Sequence, residues 1–80
     1  MSLVPGRELL QAAAAKGRAV GHFNFNDLEF LQAIVAAADS RQSSVFLATS
    51  EGAIDYAGIE YLVAMARAAA NKTRVPLCLA

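Results

Sequence analysis

Ala19-Val20-Gly21-His22-Phe23-Asn24 is the stretch on which the reading of this chain turns. The apolar run is short, carries a glycine inside it and ends in a polar residue. It therefore reads as a buried strand with close backbone contacts, delivering Asn24 to a loop, better than as a helix. The same figure returns as Val45-Phe46-Leu47-Ala48-Thr49-Ser50. A third apolar run, residues 75–80, breaks off where a third strand-to-loop junction is expected to follow.

The spacing between these runs is helical. Leu28, Leu31, Ile34, Val35 and Ala38 recur on one face and the pattern ends near Asp39-Ser40-Arg41. Either Asn26 or Asp27 can cap the free N–H groups at the start of that helix, and Glu29 adds negative charge to its first turn. Residues 44–49 form the second predicted strand, followed by a Ser50-Glu51-Gly52 turn and a helix over about 58–71 with Ile59, Leu62, Val63, Ala66 and Ala70 on one side. Residues 75–79 form the third strand, where Pro76 is tolerable only near the beginning, since no ladder donor is lost there. Ahead of the first strand, Pro5 opens a leading helix over about 5–16, Leu9, Leu10, Ala13 and Ala14 make its apolar stripe, and Gly17 after Lys16 stops it.

Strand, helix, strand, helix, strand with short connections implies two right-handed crossovers and a parallel sheet, with the first two strands adjacent and the third beside the second. Standing alone, such a sheet leaves two parallel edges and an open face for three helices to cover. The fold expected is therefore α/β, the amino-terminal portion of a TIM (β/α)8 barrel: a leading helix and three parallel strands joined by two helices. Residues 1–80 would make a partial barrel, roughly a third of the ~250 residues that a complete one takes, with the rest absent. Composition agrees. At 56% hydrophobic and 18% charged, the chain carries more apolar surface than a domain this small usually hides.

Lys+Arg and Asp+Glu cancel at seven each, and no basic run or aromatic-basic interleaving appears, so neither nucleic acid nor an anionic membrane is an expected partner. The lone Cys78 excludes an internal disulfide framework and fits a reducing compartment. The residues after Met1 show neither a signal core nor a long spanning segment, and a cytoplasmic location is expected.

Taken together, Val20-Gly21-His22-Phe23-Asn24-Phe25-Asn26-Asp27-Leu28-Glu29, Gln32-Ala33-Ile34, Ser50-Glu51-Gly52-Ala53 and Val75-Pro76-Leu77-Cys78-Leu79 resemble the amino-terminal third of class II fructose-bisphosphate aldolases. The similar tagatose-bisphosphate aldolases are not separated from them by these residues. The resemblance covers nearly the whole chain, in order and at the right intervals. It implies a zinc-dependent barrel enzyme of glycolysis, a homo-oligomer. Such an enzyme reversibly cleaves a ketose bisphosphate, fructose 1,6-bisphosphate first, to dihydroxyacetone phosphate and an aldehyde through a metal-stabilised enediolate. There are two departures. The family usually follows its third strand with His-x-Asp-His-Gly, which supplies the acid/base Asp and a zinc ligand, but Ala80 stands where the first His would be. Asp27 stands where a second Asn is common, and both residues cap helices. The histidines that complete the zinc site and the phosphate-binding loops would lie beyond residue 80, so the resemblance assigns no catalytic residue and no metal ligand to this chain.

Two residues are candidate substrate contacts. Asn24 leaves the carboxyl end of the first strand, the barrel face where substrates sit, and its amide can donate and accept at once; the plainer reading is a turn-forming Asn. Ser50 holds the equivalent place after the second strand, and its family match contacts the phosphate-bearing substrate; the plainer reading is a capping hydroxyl. Strand spacing puts the two within roughly 10 Å, facing one pocket. His22, near that rim, is read as structural or merely polar rather than as a metal ligand. Gly52 is expected to supply backbone freedom, Glu51 has no assigned role, Cys78 reads as an inert buried thiol, and Tyr56 and Tyr61 as packed rings with hydroxyls at an edge. For the isolated chain, the alternative to an enzyme segment is a non-catalytic partial barrel or an interaction module using its open edge strands.

Overall fold

Side-chain caps mark where the first two strands hand over to helices. The computed structural model describes residues 3–80. In it the order is α1 (Gly6–Ala15), β1 (Gly21–Asn24), α2 (Leu28–Arg41), β2 (Val45–Ala48), α3 (Glu51–Ala57), α4 (Ile59–Ala70) and β3 (Leu77–Leu79). Asp27 caps α2 through a bond accepted from the Phe30 N–H, and Ser50 caps α3 through one accepted from the Ala53 N–H. At the other end of α1, Gly17 takes a positive φ of 66° while its N–H donates to Ala14 and that of Arg18 to Ala13, so the last carbonyls are satisfied as the chain reverses. Gln42 ends α2 in the same left-handed conformation, φ 50°.

The sheet is parallel throughout, in the order β1-β2-β3, as the crossovers predicted. Gly21 pairs with Val45 and Asn24 with Ala48, and Val45 in turn pairs with Leu77. Pro76 lies just ahead of β3, where its missing N–H costs no ladder bond. Alternation divides the strands. Val45, Leu47 and Leu77 face the helix layer, joining Phe25, Leu31, Val35 and Ala38 with Leu62, Ala66 and Ala70 of α4 in one core. Phe25, Leu31, Leu47, Leu62 and Leu77 are the largest fully buried side chains, each contributing roughly 1.5–3 kcal/mol by leaving water. The other sheet face carries His22, Asn24, Phe46 and Cys78. This topology, a leading helix and successive strand–helix units on a parallel sheet, is that of the amino-terminal part of a TIM barrel.

Several local expectations are corrected. Ser50-Glu51-Gly52 is not a free turn: Ser50 caps a seven-residue helix, α3, so the second crossover carries two helices, broken at Gly58 where φ is 92°. A helix this short buries only Ala53, with Ile54 and Ala57 resting on the core, and shows too little periodicity to be seen beforehand. The apolar stripes are also wider than what they bury. Leu10, Leu28 and Ile59 stand 56%, 45% and 48% exposed, and Tyr56 and Tyr61 project into solvent rather than packing. Phe23 is half exposed because, among the described residues, no strand pairs with the outer edge of β1.

Candidate functional site

Parallel strands release their loops at one end of the sheet, and that is where polar groups collect here. Asn24 is the last residue of β1, in register with Ala48, and Ser50 follows Ala48 by two residues. Both are exposed. Among the described residues no side-chain hydrogen bond fixes the Asn24 amide, so it has both its donors and its acceptor to offer. The Ser50 Oγ accepts from the Ala53 N–H at 3.1 Å, yet the hydroxyl keeps its own proton to donate elsewhere. Capping and ligand contact are thus compatible in one side chain.

A cleft opens between the two capped helix starts, lined by Asn26, Asp27, Ser50, Gly52, Ala53 and Tyr56. Ser50 is brought together there with Asn26 and Asp27, while Asn24 is not among the lining residues. The Asp27 Oδ1 accepts from the Phe30 N–H at 2.9 Å, so part of the carboxylate's capacity is committed to α2. Asn26 and Tyr56 belong to the cleft, although the sequence offers Asn26 only as a helix cap and Tyr56 only as a packed ring. Asn26 had its signal, a place in the loop after the first strand; Tyr56 had none, because α3 was not foreseen. Gly52 uses no left-handed conformation, and a Cβ there would meet only the Ser50 Oγ at an ordinary 3.7 Å, so the expected backbone freedom is not drawn on.

His22 shares the strand face of Asn24. Its ring is exposed and tilted at 35° to that of Phe46, with centroids 5.8 Å apart. Among the described residues no group of three or more His, Cys, Asp or Glu side chains is placed to hold a metal ion. A catalytic zinc takes three protein ligands and an open position, so these residues do not furnish such a site. Cys78 is buried, and desolvation pushes its thiol above the ordinary value, keeping it protonated at neutral pH. Among the described residues the arrangement can therefore offer hydrogen bonds to hydroxyl or phosphoryl oxygens, and the cleft also carries the Asp27 carboxylate, partly committed to capping α2, and the exposed Tyr56 phenol.

A parallel α/β unit whose polar residues gather at the carboxyl ends of its strands is the architecture of the barrel enzymes. Residues 4–80 match the family described as fructose-bisphosphate aldolase class-II, and the chain belongs to that family. It is 48% identical over 77 residues to a fructose-bisphosphate aldolase of Thermus caldophilus, covering 96% of this chain and 25% of that protein. It is 46% identical over 81 residues to a probable fructose-bisphosphate aldolase of Bacillus subtilis (strain 168), covering 100% of this chain and 28% of that protein. A fructose-bisphosphate aldolase of Helicobacter pylori is 41% identical over 78 residues. The chain thus spans about a quarter of the length of the curated relatives it matches. No helix among the described residues is long and apolar enough to cross a membrane.

Proposed function

We propose that residues 1–80 are a partial barrel belonging to a class II aldolase that reversibly cleaves a ketose bisphosphate, fructose 1,6-bisphosphate first, to dihydroxyacetone phosphate and an aldehyde. The observation that carries this reading is the family match running from residue 4 to residue 80 on a sheet whose first two strands end in Asn24 and Ser50. In the whole enzyme, a cytoplasmic homo-oligomer of glycolysis, zinc takes its ligands from outside these residues. Asn24 and Ser50 contribute hydrogen bonds to the phosphorylated sugar, Asn24 by its unfixed amide and Ser50 by the hydroxyl proton that capping leaves free. By itself the 80-residue chain is inactive, because binding groups without a metal cage or an acid/base cannot stabilise the charge that builds up on carbon–carbon cleavage.

The test grafts residues 4–80 into the Thermus caldophilus aldolase in place of its matching segment and assays cleavage of fructose 1,6-bisphosphate, with the free 80-residue chain assayed beside it. The graft turns over and the free chain does not. In the graft, Ser50→Asp keeps a good helix cap but replaces the donating hydroxyl by a negative charge facing a phosphorylated substrate. It lowers kcat/KM by tenfold or more while leaving thermal stability within about 0.5 kcal/mol. A folded graft without turnover, or Ser50→Asp with unchanged kinetic constants, overturns the assignment.

A further inference from the structure

The leading helix is fastened at one end only. Leu3 pairs with Leu77 in a single parallel bridge on the outer edge of β3, and the Val4 N–H donates to the Leu77 carbonyl at 2.7 Å. The Leu3 side chain packs against the core. Pro5, with no N–H of its own, ends this pairing and starts α1. Gly6 then passes so close to the sheet that a Cβ on it would lie 2.9 Å from the Phe46 Cε1 and 3.5 Å from the Cys78 Sγ. Leu9 is the one buried side chain of the helix.

Beyond Leu9 the attachment fades. Leu10, Ala12, Ala14, Ala15 and Lys16 are exposed, and an open cleft lies between the rear of the helix, at Ala13 and Lys16, and Val20, Gly21 and Val45 at the start of the strands. Gly17 has nothing within 4 Å of where its Cβ would be, and residues 18–20 are neither helix nor strand. A ten-residue helix has little stability of its own, so its place depends on what holds it. We infer that α1 is a flap over the amino-terminal end of the sheet, latched by the pairing of Leu3 and Val4 with Leu77 and hinged at residues 16–20, and that its opening uncovers Phe46 and Cys78.

Cys78, 8% exposed beneath the first turn of α1, is a built-in reporter of the flap. Its labelling by a small thiol reagent at fixed pH is followed in the native 80-residue chain over low urea concentrations. Global stability is measured separately by circular dichroism. The wild-type chain labels faster than global unfolding permits, with a urea dependence well below that of the full transition, because flap opening exposes little surface. Val4→Pro, which removes the latching N–H ahead of an existing proline, labels about fivefold faster, the effect of losing one backbone hydrogen bond. Leu62→Ala, remote from α1, lowers global stability but leaves labelling in water unchanged. Hydrogen exchange of the wild-type chain supplies a reading that needs no variant: the amides of α1 exchange together, at the same opening free energy as Cys78 labels and below that of α4. Val4→Pro labelling at the wild-type rate, or wild-type labelling and α1 exchange that follow global unfolding, overturns the latch.

Discussion

Thr73→Val tests whether one hydroxyl ties the end of α2 to the start of β3. The Thr73 Oγ1 donates to the Asp39 Oδ1 near the carboxyl end of α2 and accepts from the Val75 N–H at 3.2 Å. Thr73 and Val75 are both nearly inaccessible, at 9% and 3% exposure. Valine has almost the same shape, so packing is kept while these hydrogen bonds to Asp39 and from Val75 are lost. The Asp39 carboxylate is exposed and regains water, which holds that loss to about 1 kcal/mol; the buried Val75 N–H has no such recourse, and an orphaned donor costs about 1–3 kcal/mol. The sum is roughly 2–4 kcal/mol, which for a chain this size lowers Tm by about 12–24 °C. Thr73→Ser keeps both bonds, loses a methyl and costs about 0.8 kcal/mol. Urea titrations of the two variants, with Asp39→Ala and the double variant, complete a cycle in which Thr73 and Asp39 couple by at least ~0.5 kcal/mol. Thr73→Val within 0.5 kcal/mol of Thr73→Ser, or an additive cycle, would refute the clamp.

Two further predictions rest on single observations. Gln42 holds a left-handed φ of 50° at the end of α2, so Gln42→Gly relieves the Cβ penalty and stabilises the chain by about 0.5–1 kcal/mol in urea, despite the looser unfolded state; a loss of stability would mean that the Gln42 Nε2 bond to the Asp39 carbonyl outweighs the strain. Burial raises the Cys78 thiol in the folded state. Its neutral form thus favours folding fully at pH values below the unfolded thiol's ~8.5, and that contribution is lost as pH rises above it, because the unfolded chain releases its proton first. Stability measured from pH 7 to pH 10 falls more steeply for the wild-type chain than for Cys78→Ala, and parallel curves would remove Cys78 from the account.

What was legible in the sequence was whatever repeats over a distance longer than a turn. The strands of 3–4 residues are legible because each is a dense apolar run, the first two closed by polar residues, and their order follows from short connections that set sequential strands side by side. The stripes of α2 and α4 were found through their spacing, yet spacing reports what a helix is able to bury, not what covers it. Leu28 and Ile59 fit the pattern and remain about half exposed, because no element lies over them among the described residues. In α1 the discrepancy is largest, since four residues formed the stripe and only Leu9 is covered. That helix follows the sheet edge through Leu3 and Val4, a tertiary pairing that no local pattern announces.

For the site, the strand ends were legible and the cleft was not. Asn24 and Ser50 were picked out by position, because a parallel sheet sends every loop the same way. Which loop residues then share a concavity depends on how the following helices begin, and here both begin on side-chain caps, Asp27 and Ser50. The cap and substrate readings of Ser50 looked like rivals in the sequence. In the structure the two are compatible uses of one hydroxyl: the bond it accepts from the Ala53 N–H fixes the side chain's direction, and a side chain so fixed would lose less entropy on donating its proton to a ligand. Orientation by the helix cap is therefore an argument for the contact role of Ser50 rather than against it, and Ser50→Asp, which holds the cap and removes the donor, is the substitution that separates the two.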